Sequence, residues 1–523
     1  MPTLGQVVRL RTNANLSTGG TATDVTDECH PRNAQLAGLA AQILNLDVAG
    51  IDLLCRDIRR PVTEQGGAIV EVNAAPGLRM HLAPAHGTPR RVGRPIIQML
   101  YPPGASATIP IIAVTGTNGK TTVTRLIAHM FSAARKIVGM TCTDGIYIDN
   151  ERIKSGDCSG PRSAEAVLLH PRVAVAVLET ARGGILREGL GYDAGDVGVV
   201  TNISADHLGL RGVETVEDLA RVKQVVIEAV HRRGTAVLNA DDRLVAAMAT
   251  ATEAAVIYFS LHANSPVIEA HTAEDGRSVR LVNGMIVFQT GPDRLDLIEL
   301  EQVPFTGRGK IRFQVANALA VVAAAWGAGL NPAIIARALT TFRSDTSVVP
   351  GRFNVMQIDG VEVVLDYAHN QAAMAALREA VASLDKRRTV MVMGLPGDRR
   401  DEDLIATGVA TLPVADHYVL HDIEDLRGRR ALEVPQLLKS ALNLDGRCEI
   451  VASSDEAIRR GWQRVKPGDR LLIIADEVDS ALQTLQSLAR AVDDDGSCIA
   501  RITPAAIADS SNRKLDVHSH REW

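Results

Sequence analysis

The sequence predicts an α/β protein with a large central domain on a parallel sheet, a smaller α/β domain after it and a short α+β segment before it. Three observations carry this. "IPIIAVTG" is a β-branched apolar run that leads through glycine into the helical pattern "TTVTRLIAHMFSAAR". Strand-like runs then recur between helical stretches, "VAVAVLET", "VGVVTNI" and "GTAVLNADD", which is the alternation of a parallel sheet. From residue 350 a second, shorter set follows: "VEVVLDYA", "TVMVMG" and "RLLIIAD".

The elements read in order as follows. In residues 1–107, "RNAQLAGLAAQILNL" has helical spacing and "VAGIDLLCRDI" reads as a strand. "GGAIVEVNAAPG" reads as a buried strand closed by a Pro-Gly turn. On such a strand Glu71 and Asn73 project from one face, where two oxygen donors suit a hard cation. "YPPGASATIP" is a linker. Residues 108–346 form the central domain and end near the long apolar helix "VANALAVVAAAWGAG". Residues 347–492 form the smaller domain, and residues 493–523 are polar and aperiodic, the pattern of a loose tail. His518 and His520 lie in that tail.

Composition narrows the function. The chain has 523 residues, 46% apolar and 22% charged, as in an ordinary globular protein. Its net charge of −5 disfavours a broad nucleic-acid surface. No apolar run reaches membrane-spanning length. The six scattered cysteines include no CxxC pair, which suits reduced thiols in a cytoplasm.

The strongest chemical signal is "VTGTNGKTT". Gly116 and Gly119 let the backbone approach an anion, and the amides of Thr117 and Asn118 and the helix start face phosphate oxygens. Lys120 would neutralise phosphate charge, and the Thr121 hydroxyl, followed by Thr122, would ligate magnesium. Val114 stands where the full phosphate-loop pattern has its first glycine. Two further strand ends offer ligands: Glu179, and then Asn202, Asp206 and His207. With Thr121 they make an oxygen and imidazole set for magnesium or manganese. "DYAHNQ" adds Asp366, His369 and Asn370 for nucleotide or substrate, with loop capping as the alternative. Arg352 in "PGR" is placed to reach phosphate at the domain junction.

Together "GTNGKTT", Glu179, "TNISADHLG", "LNADD", Asn317 in "NALA", "PGR" and "DYAHN" resemble, in order, the Mur ligases and their folylpolyglutamate synthetase relatives. The resemblance implies ATP and magnesium as cofactors, Asn317 in the nucleotide site, and a carbamylated Lys223 holding a second metal. "ETARGGILREGLGYD", "CTDGIYIDNERIKSGDCSGPRSA" and "RTNANLSTGGTATDVTDE" narrow the resemblance to the cyanophycin synthetases. In that family the first block is the C-terminal portion of an ATP-grasp domain, with magnesium ligands at Asp52, Glu71 and Asn73. Met1 falls in mid-domain there, so the chain reads as the C-terminal part of a longer protein by truncation, split gene or late start. The resemblance implies a ligase that joins L-arginine to the side-chain carboxylates of a cyanophycin or poly-Asp primer, the full enzyme also adding L-aspartate. Arg182, Arg187 and "SGPRSA" would hold the acidic polymer end, with pairing to a structural acid as the alternative for Arg182. It further implies a homo-oligomer, or a partner chain supplying the rest of the ATP-grasp domain. Two rivals stand beside it: a ligase of the same chemistry on a Mur or folate substrate, and an idle nucleotide-binding remnant. "DYAHNQ" departs from the family's "DYAHNP" without touching its acid, histidine or asparagine.

Overall fold

The computed structural model describes residue 3 and residues 19–104, 108–412, 414–443, 446–490 and 503–504. His518 and His520, and residues 11–18 of the "RTNANL" stretch, lie outside these. The chain divides into two compact units, Met1–Thr108 and Ile109–Trp523. Among the described residues no helix is long and apolar enough to cross a membrane.

In the first unit the helix Pro31–Ile43 accompanies an antiparallel hairpin of Gly50–Leu54 and Ala68–Asn73. The Asn33 amide ties it together. It donates to Ile58 O and Arg60 O, both at 2.9 Å, and accepts from Val62 N at 2.8 Å. Asp52 faces Glu71 across the hairpin, and Asn73 faces Gly50. The expectation of a buried strand at 68–73 does not hold. Val70 is 70% exposed, because among the described residues only two strands pair here and Val62 is the one apolar side chain of the unit in the buried core.

The second unit opens on an eleven-stranded sheet. Its centre is Ile111–Thr115, flanked by Val175–Glu179 on one side and Gly195–Val200 on the other, all parallel. Val138–Cys142, Val230–Asn239, Ala255–Ser260 and Arg277–Val282 extend the parallel set outward. Antiparallel strands close both edges, Gly145–Ile148 and Glu151–Ser155 at one and Met285–Thr290 and Asp293–Glu299 at the other. The helices Lys120–Ala133 and Arg312–Gly327 share one apolar core over this sheet. Eight alanines and valines in "VANALAVVAAA" are buried, and their small size lets the second helix lie close to the strands.

The smaller domain has a seven-stranded sheet in the order Cys448–Val451, His417–His421, Thr389–Met393, Arg470–Ile474, Val361–Asp366, Asn354–Ile358 and Thr503–Pro504. The first five are parallel. Thr503 and Pro504 therefore add an edge strand within the stretch whose composition reads as a loose tail. Between two neighbouring strands of this sheet Arg470 Nε donates to Glu362 Oε1 at 2.5 Å, both groups nearly inaccessible.

Candidate active site

The three central strands of the large sheet end side by side, so the loops after Thr115, Glu179 and Val200 meet at one place. The loop Gly116–Gly119 is shaped by its neighbours. Gly116 has φ +142° and Gly119 φ +87°. A Cβ would lie 1.9 Å from Thr201 Oγ1 at the first and 2.4 Å from Asn317 Oδ1 at the second. Asn202 receives the loop: its carbonyl accepts from Thr117 N at 2.8 Å and its Oδ1 from Asn118 N at 2.9 Å. Thr201 Oγ1 donates to Asn118 O at 2.6 Å. The Lys120 ammonium folds back on Thr117 O at 2.9 Å and Gly116 O at 3.2 Å, and Thr122 is buried in the helix behind it.

Lys223 arrives from the helix Val216–Glu228, which a Thr215–Asp218 capping box starts. Its Nζ donates to Gly116 O at 2.7 Å and the residue is 3% exposed. Burial, with Lys120 nearby, holds its pKa well below the usual lysine range and favours the neutral amine.

Beside the loop lies a cluster of oxygen donors. Glu179 Oε1 accepts from Thr143 Oγ1 at 2.8 Å and Oε2 from Thr143 N at 3.2 Å. Thr121 Oγ1 stands 3.4 Å from Thr143 Oγ1. Arg352 Nη2 donates to Thr121 Oγ1 at 3.3 Å, and its guanidinium lies over the Tyr367 ring at 4.4 Å. Hydroxyls and a carboxylate fit a hard divalent cation. Thr143 is absent from the sequence-level set, and its place in "TCTDG" just past the strand Val138–Cys142 was the available signal.

The cleft encloses about 310 Å³ between the two domains of this unit. Thr117–Thr122, Glu179 and Asn317 line one side, and Arg352, Asp366, Tyr367 and His369 the other. Asp366 accepts from Phe353 N and Ala368 N, both at 2.7 Å, and burial raises its pKa against those bonds and Arg352. Asn370 caps the helix Gln371–Ala382 through Ala373 N. It also exchanges two amide hydrogen bonds with Asn118, at 3.0 and 3.2 Å.

His207 does not line this cleft. It sits in a left-handed backbone position, φ +54°, in a smaller pocket with Asp206, His369 and Arg399. Burial lowers its pKa to about 4, so the ring is neutral. Asp206 is held far below the carboxylate range, because His369, His207 and Arg399 together outweigh its burial. Arg182 lies outside the main cleft, where its guanidinium donates to Leu210 O, and Arg187 shares its short helix, Arg182–Glu188. Asp52, Glu71 and Asn73 share the hairpin of the first unit.

Residues 114–325 match the Mur ligase middle domain, and residues 351–476 the Mur ligase, glutamate ligase domain. The chain belongs to the Mur ligase family. Within it, the chain is 42% identical over 489 residues to a cyanophycin synthetase of a Nostoc species, covering 93% of this chain and 54% of that protein. It is 44% identical over 484 residues to that of Crocosphaera subtropica, covering 92% and 55%. The chain thus spans about half the length of these curated relatives. A solved Mycobacterium tuberculosis folylpolyglutamate synthase, complexed with ADP and AMPPCP, shares the fold with a TM-score of 0.55 at 20% identity, over 72% of this chain and 91% of that one.

Proposed function

We propose that the second unit is an ATP-dependent amino-acid ligase that joins arginine to the side-chain carboxylate of a poly-Asp backbone. The observation that carries this is the convergence of the phosphate loop, the Thr121–Thr143–Glu179 cluster and Arg352 on one cleft, in a chain 42–44% identical to cyanophycin synthetases.

The chemistry needs a carboxylate made electrophilic. The β-carboxylate of an aspartyl residue attacks the γ-phosphorus of ATP, ADP leaves, and an acyl phosphate forms. The α-amine of arginine then attacks the acyl carbon, the tetrahedral intermediate expels phosphate, and the amine proton passes to solvent or a nearby base. Loop amides and Lys120 bind and neutralise the phosphates. Arg352, stacked on Tyr367 and bonded to Thr121, is placed to meet charge on the transferred phosphoryl group. A divalent cation, magnesium in this reading, would supply further charge neutralisation, with Thr121 and Glu179 as the chain's donors beside the loop and His207 held apart in the neighbouring pocket. Asn317 and Asp366 line the nucleotide side, while His369, Asn370, Arg182 and Arg187 serve the substrate side. The lowered pKa of Lys223 favours the unprotonated amine that carbamylation requires.

For the first unit, the facing pair Asp52 and Glu71 with nearby Asn73 supports a magnesium-binding edge of an ATP-grasp domain. The experiment is ATP hydrolysis coupled to amino-acid consumption with a poly-Asp primer. Arginine stimulates phosphate release in this account. Stimulation by glutamate or diaminopimelate instead would move the chain to another Mur-type substrate.

A further inference from the structure

Arg399 stands where the two domains of the second unit meet. It follows the strand Thr389–Met393, and its side chain is only 5% exposed. Its Nη2 donates to His207 Nε2 at 2.9 Å and lies 3.3 Å from Asp206 Oδ1. Its Nη1 donates to Asp398 Oδ1 at 2.5 Å. Asp206 and His207 belong to the large domain, so one buried guanidinium bridges both domains. On the far side of the Asp206 carboxylate, Oδ2 lies 3.7 Å from His369 Nε2 and 3.9 Å from His207 Nε2. Donor atoms of Asp206, His207 and His369 all lie within 4.8 Å of one another. One carboxylate and two imidazoles are a donor set for a divalent transition-metal ion.

A guanidinium N–H can only donate, so His207 Nε2 must accept. The lone pair that would ligate a metal is therefore committed to Arg399. The ring proton then sits on Nδ1, which faces Asp398 Oδ2 at 4.0 Å. A divalent ion and a guanidinium cannot share this lone pair, and they repel each other across a few ångströms of protein.

We propose that Arg399 is a built-in competitor for a divalent cation at the Asp206–His207–His369 cluster. The guanidinium holds the position while the domains meet as they do here, and the ion takes it only when Arg399 withdraws. Metal binding at His207 is thereby coupled to release of the loop 396–400, and the coupling is reciprocal. This rests on the ligase reading only for the purpose of the ion. The Thr121–Thr143–Glu179 cluster contains no Arg399 contact among the described residues, so its affinity is independent of this exchange.

The test is Mn²⁺ binding to the full, nucleotide-free chain, followed by electron paramagnetic resonance of the free ion and independent of activity. Arg399→Met gains one Mn²⁺ site, or tightens one at least tenfold, and adding His207→Ala removes the gain. An Arg399→Met isotherm identical to wild type overturns the proposal, as does a gained site that survives His207→Ala. A second measurement needs no variant. In wild type, millimolar Mn²⁺ raises hydrogen exchange in the peptide spanning 395–403, because the loop loses its anchor to the large domain and keeps those that Arg429 and Arg427 provide within its own domain. Unchanged or increased protection there overturns the proposal even if the variant fails to fold.

Discussion

Gly119→Ala tests whether the loop 116–119 is shaped for phosphate. Residue 119 has φ +87°, a region where a Cβ costs about 1–2 kcal/mol. The new methyl carbon would lie 2.4 Å from Asn317 Oδ1, about 1 Å short of ordinary contact. Asn317 cannot swing away freely, because it is buried and its Nδ2 donates to Gln314 Oε1 at 3.0 Å. Driving it off its rotamer costs about 0.5–1.5 kcal/mol more. If the loop relieves this by moving, its amides leave the phosphate, and the sum of about 1.5–3.5 kcal/mol appears as nucleotide affinity weakened about 10- to 400-fold. A fluorescent ATP analogue titrated into both proteins reads this directly. A correctly folded variant with a Kd within threefold of wild type would refute the reasoning, since the loop would then tolerate the strain without losing its ligand.

Other expectations follow from the same contacts. Arg470→Met leaves the Glu362 carboxylate, among the described residues, with only Arg387 at 3.8 Å, and lowers the stability of the small domain by about 3–5 kcal/mol. Adding Glu362→Leu restores most of it, read by thermal unfolding of single and double variants. Lys223 has a folded pKa depressed far below 10.5, so between those values the unfolded chain binds a proton that the folded chain refuses. Stability then rises with pH by up to about 1.4 kcal/mol per unit, and as pH is raised toward 10.5 in bicarbonate-free buffer the unfolding temperature gains relative to Lys223→Met. Arg125 donates to Val348 O at 2.8 Å and Tyr147 OH at 2.7 Å and pairs with Asp144, tying the loop helix to the linker before Arg352. Arg125→Met lowers kcat about tenfold, the loss of one or two buried hydrogen bonds, while nucleotide Kd stays within threefold.

Sequence legibility followed distance along the chain. The phosphate loop could be read because Gly116, Gly119, Lys120 and Thr121 are contiguous and sit between a buried strand and a helix. Glu179 and Asn202 could be read as residues past strand ends, since parallel sheets gather such ends. Thr143 was missed because a place just past a strand end was its one signal, and "TCTDG" does not show that its hydroxyl turns toward Glu179, 36 residues on. Arg399 meets His207 across 192 residues, and Arg125 meets Val348 across 223, so neither pairing leaves a local pattern. His207 was grouped with Thr121 and Glu179 by their common place beyond the sheet, yet the left-handed turn at 207 carries it to a neighbouring pocket. The stretch 68–73 was read correctly as a strand and wrongly as buried, because burial depends on what covers a strand and not on its own composition.

The most direct test of the central claim is the mass of a cyanophycin primer ending in an unmodified aspartate, after incubation with the purified protein, ATP, magnesium and arginine. The account predicts a gain of one arginine residue, made with release of one phosphate and abolished by Lys120→Ala. An unchanged primer mass, with ATP still bound by the same preparation, would contradict it and leave a nucleotide-binding protein without this ligase activity.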